Sequence, residues 1–276
     1  MMVSTARRTT AAPGALRDWK FWLALLAVAG LLVLSIVTGV ADLGDGGGGS
    51  RFLALTRIPR TIALVLAGAA MAMSGLVMQL LTQNRFVEPT TTGTTEWAGL
   101  GLLVMMILFP DASLTVRMVG AIIAAFLGTM VFFAFLRRVT LRSSLIVPIV
   151  GIMLGAVVGS ISTYLALVTD RLQNLGVWFA GSFTSVLKGQ YEALWIVAVV
   201  AVLVFITADR LTVAGLGEDV ATNVGLNYNR IILAGTGLVA VATGVVTVVV
   251  GNMPFLGSSH FRWGWRGESA ADEEHA

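Results

Sequence analysis

Past its first twenty residues, the chain alternates between long apolar runs and short polar joints. The runs cover residues 21–41, 60–82, 97–109, 114–136, 146–169, 190–208 and 229–250. An α-helix needs about 20 apolar residues to cross the hydrocarbon of a bilayer. All the runs but the third come close to that length. The third is short and is expected to begin inside the joint before it. Strands of a membrane β-barrel are excluded, because such strands alternate over about ten residues and these runs are continuous. The pattern predicts an all-α polytopic membrane bundle with about seven transmembrane helices.

The first run holds twelve Leu, Ile, Val or Phe residues and no internal charge. At roughly −0.3 to −0.6 kcal/mol each, they favour insertion by about 4 to 7 kcal/mol. Gly39-Val40-Ala41 could serve as a signal-peptidase site. The run exceeds the usual h-region of about 7–15 residues and more spans follow, so an uncleaved helix is expected.

Composition agrees. Of 276 residues, 57% are hydrophobic and 12% charged, against about half and about a quarter in a soluble domain. Too little polar surface remains to coat a globule in water. A cytosolic enzyme, a disordered chain and a nucleic-acid module are excluded. The net charge of +3 comes from basic residues in the joints, which act as topology signals. Arg7, Arg8, Arg17 and Lys20 place the N-terminus in the cytoplasm. The joints with Arg85, with Arg137, Arg138 and Arg142, and with Arg210 and Arg230 then share that side. Arg57 and Arg60 fall outside, against the rule.

Little in the sequence offers reaction chemistry. Cysteine is absent, and the two histidines, His260 and His275, lie near the C-terminus. No metal or cofactor site is expected, and no clustered His, Asp or Ser suggests an enzyme. Charges sit at run edges: Glu96, Arg117, Asp170, Glu192 and Asp209. An ion-coupled carrier would need carboxylates within the membrane. No Walker A sequence is present, so energy must come from a partner. Gly151, Gly155 and Gly159 stack on one helix face, and Gly68 and Gly75 lie similarly in the second run. Such faces let neighbouring helices approach closely.

Three constellations remain. The first is Arg57-Ile-Pro-Arg60-Thr61. The second is Gly68 to Gln79 followed by Gln83-Asn84-Arg85-Phe86-Val87-Glu88-Pro89 and Gly93. The third is Leu216-Gly217-Glu218-Asp219-Val-Ala221-Thr-Asn-Val-Gly225-Leu226. Their order and spacing over about residues 55–257 resemble the permeases of ABC importers for iron–siderophores, haem and cobalamin, a FecCD-like family. The QNRFVEPTTTGT segment looks most like the siderophore branch.

That resemblance implies ten helices per subunit and a second permease subunit, identical or paralogous. It also implies a cytoplasmic ATPase dimer and an extracytoplasmic siderophore-binding protein. Arg57 and Arg60 would dock the binding protein, as forked guanidiniums suit carboxylates; alternatively they anchor at lipid headgroups. Asn84, Phe86 and Ser144 match cytoplasmic gate positions, although Arg85 replaces the family's usual proline; the alternative is a structural turn. Gly217, Glu218, Ala221, Gly225 and Leu226 match the coupling helix that receives the ATPase's motion, the alternative being a plain loop.

The reading divides the chain into a cytoplasmic segment 1–20, a permease domain 21–257 and a polar tail 258–276. Six of the tail's nineteen residues are charged. Family members continue with three more helices there. A frameshift or early stop is expected, and with it a non-transporting remnant as an alternative to a working permease.

Overall fold

The computed structural model describes residues 19–37, 53–138, 145–183, 186 and 191–253. The tail 258–276, Ser144 and nearly all of segment 1–20 lie outside the described residues. Contacts divide the chain at Thr61 and Ile62 into two units.

The first unit holds α1 (Trp19–Val37) and one π-helical turn, Leu53–Arg57, that runs into α2 (Ile58–Thr82). Helix α1 is apolar all round, as a lipid-immersed helix is. Its last carbonyls have no partner within the helix. Arg57 Nη1 donates to one of them, Ile36 O, at 3.2 Å. Pro59 stands in the first turn of α2, where its missing N–H costs nothing.

The second unit begins within α2 and contains α3 (Thr94–Leu108), α4 (Leu114–Arg138), α5 (Ile146–Val168), α6 (Leu172–Ala180), α7 (Trp195–Gly215), α8 (Glu218–Asn223) and α9 (Tyr228–Val249). No strand occurs among the described residues. Helices α2 and α9 run antiparallel through its middle. Ala63, Ala67, Ala70 and Met71 share a cluster with Ala242, Val245, Val246 and Val250. At the other end, Val77, Met78 and Leu81 meet Ile232 and Val239. A third cluster joins Ala98 and Leu102 of α3 to Ala121 and Ala125 of α4 and Ala240 of α9.

Small residues set these distances. A Cβ on Gly101 would lie 2.6 Å from Gly120 O. Cβ atoms on Gly120 and Gly128 would overlap the Met105 and Trp97 side chains. Gly120, Ala124 and Gly128 form a stripe every four residues that seats α3. Sequence reading passed over this stripe.

Facing outward, α5 exposes Ile152, Met153, Val157 and Ile161, and α7 exposes Val199, Val202, Phe205 and Ile206. Contiguous apolar faces of this size belong in lipid. Five helical stretches are long and apolar enough to cross a membrane: 55–82, 114–138, 146–168, 191–215 and 228–249. The first and third expected spans are shorter helices. Helix α3 has 15 residues, which at about 1.5 Å each falls short of the roughly 30 Å core. As expected, it starts inside the preceding joint. Helix α7 outruns its expected end and carries Asp209 and Arg210, both exposed, in its last turns.

Candidate functional site

One end of the second unit gathers the C-termini of α2, α4 and α7, the N-termini of α5 and α9, and the short helix α8. Helix α2 closes with Asn84 N donating to Gln79 O at 3.0 Å and Gln83 N to Leu80 O at 3.3 Å. These are the two bonds of a Schellman cap, whose left-handed residue is usually glycine. Here that residue is Gln83, at φ +52°.

The joint after it satisfies its own polar groups. Asn84 is buried, and its Oδ1 accepts from Phe86 N at 3.0 Å. Phe86 is exposed, and the Arg85 guanidinium lies 5.0 Å over its ring, within cation–π range. Glu88 N donates to Thr91 Oγ1 at 2.9 Å, and that hydroxyl donates back to Glu88 O at 3.0 Å. Thr90 Oγ1 donates to Glu88 Oε1 at 2.8 Å. Irregular backbone at membrane depth requires this kind of internal satisfaction. Glu88 is only 4% exposed, a buried carboxylate that lies in the joint rather than within an apolar run.

Two devices pin the far end of the turn. The first is a hydroxyl chain. Thr92 Oγ1 and Thr94 Oγ1 are 2.9 Å apart, Thr94 Oγ1 and Thr129 Oγ1 2.8 Å, and Thr129 Oγ1 donates to Ala125 O at 2.8 Å. It ties the turn to α4. The second is a seat on α5. A Cβ on Gly151 would overlap Thr91 O and lie 2.8 Å from Thr92 Cα; one on Gly155 would lie 3.3 Å from Gly93 Cα. Gly93 itself has φ +78°, so no Cβ fits there either.

The glycine face was expected to receive another helix. Gly151 and Gly155 receive the polar turn instead. Among the described residues, a Cβ on Gly159 would meet nothing within 4 Å, and neither would one on Gly68. Gly75 is buried. The seated glycines lie five and nine residues into α5, so the turn reaches about 7–13 Å along that helix.

The coupling segment forms α8, six residues long. Ala221 is its one fully buried side chain, while Leu216, Val220 and Val224 are exposed. Gly217 precedes it at φ 119°, ψ 163°, a region open essentially to glycine alone. Gly225 follows at φ +84°. Leu226 N donates to Ala221 O and Gly225 N to Thr222 O, both at 2.9 Å, which completes a second Schellman cap. Asn227 then caps α9 by accepting from Arg230 N at 3.1 Å. Thus Gly217, Glu218, Ala221, Gly225 and Leu226 fall together.

Behind α8 lies a cleft of about 720 Å³, walled by Gln83, Asn84, Arg137, Val147, Val220 and Asn229 among others. Arg137 Nη2 donates to Asn229 Oδ1 at 2.8 Å across it. The cleft brings Asn84 and the α8 segment to one place. Gln83 and Thr94 belong to a segment singled out in the sequence but were given no role of their own there, and Thr129 was passed over. Arg57 and Arg60 belong to the first unit, where Arg60 is exposed and Arg57 is engaged with α1. Among the described residues, no group of three acidic or His side chains could hold a metal.

Comparison with known proteins gives this geometry a context. The FecCD transport family matches residues 21–258. Over 237 residues the chain is 58% identical to the petrobactin import system permease protein FatD of Bacillus anthracis, covering 86% of this chain and 71% of that protein. Over 233 residues it is 38% identical to the petrobactin import system permease protein YclN of Bacillus subtilis strain 168, covering 82% and 74%. An inward-facing metal-chelate type ABC transporter of known structure shares the fold, with TM-score 0.68, 19% identity and coverage of 86% and 79%. The chain is a multi-pass membrane protein that belongs to the FecCD transport family.

Proposed function

We propose that the chain is the permease of an ATP-driven importer for an iron–siderophore complex, with ferric petrobactin as its cargo. The observation that carries this is the 58% identity to FatD. The chain is not itself an enzyme. It provides the route through the cytoplasmic membrane, and a separate ATPase and an extracytoplasmic binding protein supply energy and ligand.

The geometry supports a role for each group of site residues. Helix α8, held between two glycine caps, presents exposed Val220 and, just past its end, exposed Val224, suited to a groove on the ATPase. Asn84 lines the cleft at the cytoplasmic mouth, and Phe86 is bonded to Asn84 through its N–H. At the opposite end of α2, Arg60 is free to meet acidic side chains of the binding protein, while Arg57 fixes the end of α1. A second permease subunit completes the route.

Reconstitution tests the reading. Vesicles holding the chain, its ATPase and its binding protein should accumulate ferric petrobactin only with ATP, and a ferric hydroxamate should compete poorly. Accumulation without ATP would sink the mechanism. The docking role has its own check. Arg60→Glu should weaken binding-protein affinity at least tenfold, about 1.4 kcal/mol, with an unchanged melting temperature. Arg57→Glu should lower both, because it also breaks the bond to Ile36 O. Titration of binding protein onto the reconstituted permease, beside a melting curve, separates the two.

A further inference from the structure

We propose that Gln83 is the positioning residue that passes the movement of α8 to the polar turn 84–93, and that the cleft behind α8 is the space that movement uses. The inference rests on reading α8 as the ATPase's seat, and it adds how the push travels onward.

Helix α8 is hung so that it can swing. Gly217 and Gly225 bracket it in backbone conformations that other residues rarely adopt. Its side chains hold it to the bundle only weakly. Thr222 bonds within the helix, to Glu218 O and Asp219 O. Among the described residues, the carboxylates of Glu218 and Asp219 have no partner at all. Ala221, a single methyl, is the buried side chain. A helix held this lightly, with about 720 Å³ of open space behind it, moves as a unit when pressed from outside.

Gln83 stands in its path. The Gln83 amide lies over Gly217, with Nε2 3.3 Å from where a Cβ would project. Gln83 also occupies a left-handed position at φ +52°, where glycine would sit without steric cost. Glutamine there contributes reach rather than backbone comfort. The next residue, Asn84, is buried and organises the turn through Phe86 N. The turn's far end is held by the Thr92–Thr94–Thr129 hydroxyls and by the Gly151–Gly155 seat. A push at residue 83 therefore acts on a short segment with a fixed far end. The displacement appears at Asn84–Phe86, the mouth of the route, rather than spreading into the bundle.

The test uses the assembled importer in vesicles, with ATP hydrolysis and ferric petrobactin uptake measured on the same preparation. Gln83→Gly removes the reach and relieves the backbone. It should keep the ATPase bound and hydrolysing, leave the melting temperature unchanged or higher, and cut uptake per ATP at least tenfold. Gln83→Met, of equal length, should restore most of that ratio. Val147→Trp, which enlarges a side chain of α5 lining the cleft, should uncouple in the same way. A Gln83→Gly importer with the original uptake per ATP overturns the relay and leaves α8 standing as the docking helix. So does a Gln83→Gly importer that loses its ATPase, since Gln83 would then serve docking. Normal assembly and coupling with the α8 sequence scrambled overturns both readings.

Discussion

Gly151→Leu is expected to leave no transport-competent protein in the membrane, and Gly151→Ala to melt far below the unsubstituted chain. A Cβ at this position overlaps Thr91 O and presses on Thr92 Cα. Both are backbone atoms of a turn tied at several points, so neither can step aside as a flexible side chain would. Forcing one extra carbon into a packed interior costs about 1–3 kcal/mol. Lifting the turn from its seat adds about 1–3 kcal/mol for each buried polar group left unpaired. A domain with a total stability of about 5–15 kcal/mol does not absorb several such losses. The neighbouring glycines grade the effect. Gly155→Ala meets Gly93 Cα at 3.3 Å and should cost less. Gly159→Ala meets nothing within 4 Å among the described residues and gains up to about 1 kcal/mol of helix propensity. Melting curves of the three alanine variants in detergent should rank in that order. Equal melting of Gly151→Ala and Gly159→Ala would show that the turn is not seated on α5.

The second large effect is functional rather than structural. Val220→Asp combined with Val224→Asp should release the ATPase and reduce uptake to background while the permease stays folded. Val220 and Val224 are 41% and 67% exposed, the first within the six-residue helix and the second just past its end. Burying a valine side chain in a partner contributes about 1.5 kcal/mol. Losing two such contributions, about 3 kcal/mol, weakens association roughly a hundredfold. Placing carboxylates in the partner's groove weakens it further. The fold should survive, because the helix keeps Ala221 inside and both glycine caps outside the substituted positions. Co-purification of the ATPase with the variant measures this directly. An unchanged yield of complex would remove α8 from the docking role.

The helices were legible in the sequence because lipid imposes a simple rule: long apolar runs must become helices. The close approach at α5 was legible too, since glycines spaced by four residues leave a bare face. What entered that face was not. Bare backbone accommodates a helix or a turn equally well, and only the fold brings Thr91–Gly93 to Gly151 and Gly155. The Gly120–Ala124–Gly128 stripe had the same spacing but stood in a run without an obvious partner. The left-handed backbone of Gln83 carried no signal, because a left-handed residue is recognised from sequence only when it is glycine or asparagine. Thr94 and Thr129 are 35 positions apart, beyond the reach of any local pattern. Arg57 and Arg60 were read as a pair from their spacing, yet among the described residues only Arg57 bonds to α1.

The seat on α5 also imposes a schedule on synthesis. Helix α3 is too short to cross alone, and the threonine-rich segment before it has no reason to leave water by itself. Its berth is made by residues that leave the ribosome some sixty positions later. The nascent chain must therefore hold an unfinished early half at the membrane until α5 arrives, and any delay between the two prolongs the interval in which quality-control proteases can reach it.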